Sequence, residues 1–135
     1  MELVDSIAIA GAGMKAQSDR LRIVSENLAN ANSVASQPGD SPYRRKVVVF
    51  RNMLDAEMGV NTVRVAKYGV DGSDFNKKFD PGHPAADEQG YVLYPNVNPI
   101  VEMMDMREAQ RGYEANLNVI EVSKGMLTRT LDLLR

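Results

Sequence analysis

Residues 103–134 read MMDMREAQRGYEANLNVIEVSKGMLTRTLDLL. Stepping alternately by three and four positions gives Met103, Met106, Gln110, Tyr113, Leu117, Ile120, Lys124, Leu127, Leu131 and Leu134, a heptad-type seam with two polar interruptions. The spacing predicts a long helix. Ala115, Val119, Val122, Met126 and Leu133 form a second apolar stripe on the opposite side, because residues two apart on a helix point in nearly opposite directions. The same step at the other end of the chain picks out Leu3, Ile7, Ala10, Met14, Gln17, Leu21, Val24 and Leu28, and Ile9, Ala16 and Ile23 stand across from Leu21. At 1.5 Å per residue these helices are expected to run about 39 and 48 Å, longer than a compact domain of this size needs.

A helix apolar on two faces needs cover on both, and one partner within the chain covers one. The middle of the chain offers little. Ser33–Pro42 is turn chemistry, Lys46–Phe50, Thr62–Val65 and Tyr91–Tyr94 read as short strands, and Asp71–Glu88, with Gly72, Pro81, Gly82 and Pro84, reads as a loop. Pro95–Pro99 holds off the second helix until about Ile100. The expected fold is mainly α with a small β insert: residues 1–33 an N-terminal helix, 34–99 a loop and β-rich insert, 100–135 a C-terminal helix. The helices are expected to form an antiparallel coiled-coil-like pair, extended rather than globular, with sister copies covering the second stripes. Ile9, Ala16, Ile23, Ala115, Val119, Val122 and Met126 are assigned to that inter-subunit face, and the N-terminal arm is expected to order only on assembly. The alternative is a self-contained helical hairpin, an adaptor or binding module whose own sheet covers those stripes.

The chain has 135 residues, one folding unit's worth, with 16 basic and 18 acidic side chains and a net charge of −2. That balance gives no basic field for nucleic acid. There is no cysteine, hence no disulfide, thiolate metal site or thiol nucleophile. Acids near the N-terminus stand where a Sec signal carries bases, and no apolar run reaches the roughly 20 residues of a membrane-crossing helix. His83, the only histidine, lies in Asp80-Pro81-Gly82-His83-Pro84 with Asp87 nearby; one imidazole and two carboxylates are an incomplete metal set, and a role in the turn is the simpler reading. Tyr43-Arg44-Arg45-Lys46 reads as a solvated strand start or a salt-bridge donor at an interface. Asn27, Asn30 and Asn32 either cap a fraying helix end or bond to a neighbouring subunit. With no nucleophile elbow and no phosphate-cradling glycine loop, the reading is of a protein that is not an enzyme and takes no cofactor, metal or small-molecule substrate.

The segment Ala16–Ser33, with Asn27-Leu28-Ala29-Asn30 and Asn32 at its centre, resembles the N-terminal signature of the flagellar axial proteins that build rod and hook. Tyr43–Lys46, Asp80-Pro81-Gly82-His83-Pro84, Gly90-Tyr91-Val92, Pro95-Asn96-Val97-Asn98 and Glu102–Met106 narrow the likeness to the proximal rod, and it runs nearly end to end, weakest over 51–79. The resemblance implies a structural subunit of the basal-body rod that transmits torque. It also implies passage through the flagellum's own type III export apparatus to the periplasmic space, without insertion into the membrane. Expected neighbours are copies of itself and other rod proteins, including the export-gate adaptor, with terminal helices lining an inner tube and the β insert outside. Another rod or hook protein of the same family is the nearest alternative.

Overall fold

The computed structural model describes residues 2–135 and contains helix α1 (Glu2–Ala29), strands β1 (Lys46–Asp55), β2 (Val60–Val70), β3 (Asn76–Phe79) and β4 (Tyr91–Tyr94), and helix α2 (Pro99–Leu133). Glu2 and Asp5 in the first turn of α1 oppose the positive end of its dipole. The helix stops at a side-chain cap: Asn30 Nδ2 donates to the Glu26 carbonyl at 2.8 Å, while Asn30 Oδ1 accepts from Ser33 Oγ at 3.0 Å. α2 begins at Pro99, before the expected start. Asn98 caps it by accepting the Ile100 N–H at 3.1 Å, and proline at the first helical position has no N–H to leave unpaired.

β1 and β2 pair as a hairpin. Its turn is closed by the Asp55 carboxylate, which accepts the Glu57 and Met58 N–H groups, and by Gly59 at φ 69°. Both strands outrun the apolar runs at 46–50 and 62–65, since the ladder continues through exposed residues such as Arg51 and Asn52 that leave no apolar signature. β3 and β4 form a second two-stranded sheet, antiparallel, with Asn76 opposite Tyr94 and Phe79 opposite Tyr91. β3 falls inside the stretch read as loop. Its sequence, Asn-Lys-Lys-Phe, is exposed at every position and carries no alternation to detect.

The chain divides into two compact units. The first joins the stretch ending at Leu21 to Val48–Lys67 and Arg107–Arg135. Here Asn116 lies over Gly13, Gln17 lies over Gly112, and Arg20 reaches Glu108 at 3.5 Å, so successive contacts climb α1 while descending α2. A Cβ on Gly13 would stand 2.8 Å from the Asn116 amide, which explains a glycine in mid-helix. The buried residues of this unit are Ala10, Ala16, Thr62, Ala109 and Ser123. It is a thin core of small side chains.

The second unit comprises Arg22–Val47 and Tyr68–Met106, and buries Ile23, Val24, Asn27, Val92, Pro95, Val97 and Glu102. The base of the hairpin lies against the last turns of α1 here: the Arg22 guanidinium sits 5.5 Å from the Tyr68 ring centre, and Lys46 Nζ bonds Glu26 at 2.9 Å. This corrects one assignment: Ile23, expected to face a sister copy, is 4% exposed within the single chain. Ala16 is also buried and cannot serve an outer face.

Candidate assembly surfaces

Four separate stretches of chain converge on one polar cluster in the second unit. Asn27, on the last two turns of α1, accepts the Lys46 N–H at 2.9 Å and donates to the Lys46 carbonyl at 2.9 Å, the pair of bonds a neighbouring strand would make. Its Oδ1 also accepts from Tyr43 Oη at 2.8 Å, and its Nδ2 reaches Glu102 at 3.3 Å. Asn96 takes one of the two backbone groups of the preceding residue. Its Oδ1 accepts the Arg45 N–H at 2.8 Å and its Nδ2 donates to the Asp71 carbonyl at 3.0 Å, while the Asp71 N–H bonds the Arg45 carbonyl at 2.8 Å. Two asparagines thus bond the backbone of Arg45 and Lys46.

Glu102, in the first turns of α2, has no exposed surface and bonds the Arg45 Nε; Asp71 and Asp105 stand 3.5 Å from the other guanidinium nitrogens. Burial pulls the Arg45 pKa down, but the bond to Glu102 and the charges of Glu102, Asp71 and Asp105 together outweigh it and raise it. Burial also raises the Tyr43 phenol, keeping it a donor to Asn27. The Ser73 backbone N–H, then its hydroxyl, and then Arg45 hold the Asp71 carboxyl below its ordinary range. Arg44 bonds the Asp71 and Ser73 carbonyls and lies 4.2 Å over the Phe75 ring. The Tyr43–Lys46 segment is therefore an internal fastening, where its sequence suggested a solvated or interface cluster.

The seam residues do not all face inward. Leu3, Ile7, Met14, Leu21, Leu28, Met106, Tyr113, Ile120 and Leu127 are half-buried and Val24 is buried, whereas Met103, Leu117, Leu131 and Leu134 are exposed. The innermost line of α2 is displaced by one residue from the line of Met103, Gln110, Leu117 and Lys124, and passes through Glu102, Ala109, Asn116 and Ser123. The two helices come close where Asn116 lies over Gly13 and Gln17 over Gly112. Many large side chains lie outside: in the first unit α2 exposes Val119 at 44%, Val122 at 62%, Met126 at 51% and Leu133 at 87%, along with Ala115. In the second unit it exposes Ile100, Val101, Met103 and Met104. Ile9 of α1 is exposed as well. These side chains leave apolar surface uncovered within the single chain.

Comparison with known proteins agrees over almost the whole chain. The flagellar basal-body rod protein FlgC of Agrobacterium fabrum is 55% identical over 127 residues, 94% of this chain and 91% of that protein. Its namesake in Salmonella typhimurium is 42% identical over 98% of both chains, and that in Bacillus subtilis 36% identical over 98% of this chain and 99% of its own. The chain belongs to the FlgC family. A family description, the C-terminal region of the flagellar basal body rod FlgEFG proteins, matches residues 88–133, which carry β4 and α2. The protein is a structural subunit of the flagellar basal-body rod.

The motif residues of this FlgC-family chain serve several local roles. Asn27 is 1% exposed and makes the clasp just described; Asn30 caps α1; Ala29 and Asn32 are exposed. Asp80–Pro84 forms a turn in which the His83 N–H bonds the Asp80 carbonyl and His83 Nδ1 accepts the Ala85 N–H at 3.0 Å, a structural use of the imidazole. Gly90, at φ 84°, lets the chain turn beneath Phe79, where a Cβ would come within 2.9 Å of the ring, and Tyr91 packs edge-on against that ring at 5.4 Å. Pro95 is buried beside Asn96. Among the described residues no group of three or more His, Asp or Glu is arranged to hold a metal, and no helix is long and apolar enough to cross a membrane. Sequence reasoning missed Glu102 and Arg45 as a pair. Polar residues 57 positions apart give no periodicity, and the only signal was their presence in family motifs.

Proposed function

We propose that this rod subunit polymerises through its terminal helices, which pair in an antiparallel, coiled-coil-like and extended arrangement and present the outer stripe of α2 to sister copies and other rod proteins. The exposed line of Val119, Val122, Met126 and Leu133 carries this reading. Their exposed fractions amount to a little over two whole side chains, worth roughly 4–7 kcal/mol if fully buried. That is comparable with the net stability of a whole domain, so a neighbour that covers the stripe changes the energetics of the chain decisively. Heterologous interfaces between copies extend into a helical assembly when their rotation does not close.

The same reading gives a non-enzymatic drive-shaft component that transmits torque through stiffness. It is exported by the flagellar type III apparatus and sits in the periplasmic part of the rod, with the export-gate adaptor among its neighbours. In the free subunit, residues 3–21 of α1 rest on a core of alanine, threonine and serine and exchange their amides freely, while residues 22–29 are held by the Asn27 clasp. Val122→Asp tests the assembly face. The position is exposed in the free chain, so folding and cellular amount stay within normal limits, but a carboxylate forced into a covered apolar contact blocks rod formation. Normal flagella in a strain carrying only the Val122→Asp copy sink the proposal.

A further inference from the structure

The fastening at Arg45 invites a question that its strength does not answer. A buried ion pair is replaced by apolar side chains at little cost in stability in many proteins, because desolvation consumes most of what the charges gain. Its presence here therefore needs a reason other than stability. Apolar contacts tolerate sliding, whereas a network of directed bonds is satisfied in one arrangement only.

We propose that the Arg45–Glu102 pair, with Asn27 and Asn96 beside it, is a positioning device for assembly. It sets α1 residues 22–29, the strand bases at 45–47 and 69–71, and the first two turns of α2 in one fixed relation within the second unit. Each of those three elements enters by its own directed contact: Asn27 on Lys46, Asp71 on Arg45, Glu102 on Arg45 and on Asn27. The groups facing the guanidinium are Glu102, fully buried, and Asp71 and Asp105, each about 30% exposed. Removal of Arg45 together with Glu102 thus leaves two carboxylates that water still solvates, and Asn27 keeps its two bonds to Lys46. Because Glu102 has no exposed surface, a defect in assembly on its removal does not come from a contact it makes with a neighbour.

This rests on the rod-subunit reading, which is checked first: the unaltered gene must restore swimming to a strain lacking its own copy, and failure there condemns that reading rather than this one. The decisive variant is Arg45→Met with Glu102→Met. The purified double variant is expected to melt within about 5 °C of the unaltered protein and yet to leave the strain non-swimming at normal cellular amounts. Arg45→Met alone, which leaves the fully buried Glu102 carboxylate without its cation, is expected to lower the melting temperature by about 10 °C or more. Restored swimming with the double variant overturns the proposal. So does a double variant that melts as low as the single one, since the pair would then be a stability element after all.

Discussion

Replacing Asn27 by alanine removes four hydrogen bonds at once from a residue that is 1% exposed: those to Tyr43 Oη, to the Lys46 N–H and carbonyl, and to Glu102. The Lys46 backbone groups are the costly loss, because a buried donor or acceptor left without a partner forfeits about 1–3 kcal/mol. Tyr43 and Glu102 lose less. The phenol is partly solvated and the 3.3 Å bond to Glu102 is long, while Arg45 continues to serve Glu102. The total comes to roughly 3–5 kcal/mol. For a chain of this length that corresponds to a fall in melting temperature of about 10–20 °C. Asn30→Ala is the internal control: it removes only the cap of α1, worth about 1 kcal/mol. Thermal unfolding followed by circular dichroism, with urea unfolding to confirm the order, distinguishes the two. Equal effects at Asn27 and Asn30, or a loss below about 1 kcal/mol at Asn27, refute the claim that this asparagine fastens the chain.

Glycine substitutions in the helices should separate by what surrounds them. Gly125→Ala meets nothing within 4 Å and is expected to stabilise the purified protein by up to about 1 kcal/mol, whereas Gly13→Ala drives into the Asn116 amide, which is bonded to the Gly112 carbonyl, and forfeits that gain; equal urea midpoints would count against the described packing of Asn116. Glu26 has its pKa lowered by its bond to Lys46 first, and Asp71 by Ser73, so both bind protons less readily folded than unfolded. Their stabilising contribution is then present above the ordinary carboxylate range and lost as pH falls through the lowered values, giving a urea midpoint that is flat above about pH 5 and declines below about pH 4. A midpoint that rises on acidification contradicts the sign. Hydrogen exchange on the dilute protein should show fast amides over residues 3–21 and slow ones over 22–29; uniform protection along α1 removes the case for assembly-coupled ordering.

Both helices were legible in the sequence, since three-and-four spacing sustained over about 30 residues is a period that only a helix satisfies. Their inner edge was not. The most buried line of α2 is marked by Ala109, Asn116 and Ser123, of which Asn116 lies over Gly13 of α1, so the strongest apolar periodicity pointed one residue away from it, toward Leu117 and Leu131. Pattern reading assumes that greasy residues face the chain's own interior, an assumption that weakens where other molecules supply the cover. β3 was invisible because Lys77 and Lys78 fill its centre, and its existence follows from pairing with Tyr91–Tyr94 rather than from its own composition. The fastening around Arg45 was spelled out only as scattered polar letters at 27, 43–46, 71, 96 and 102, which no local rule connects. His83 shows the opposite case, a residue conspicuous for its chemistry whose imidazole holds a turn.

The small side chains along the inside of α2 invert the usual guide to mutational tolerance. On the bench, with the lone molecule, enlarging Ala109 or Ser123 will be punished and truncating Leu133 will pass unnoticed. On the assembly face proposed above, Leu133 is expected to join the intolerant set in a swimming cell, where a ranking by hydrophobicity begins to predict phenotype. The disagreement between those two scans maps, position by position, the surface that the subunit lends to its neighbours.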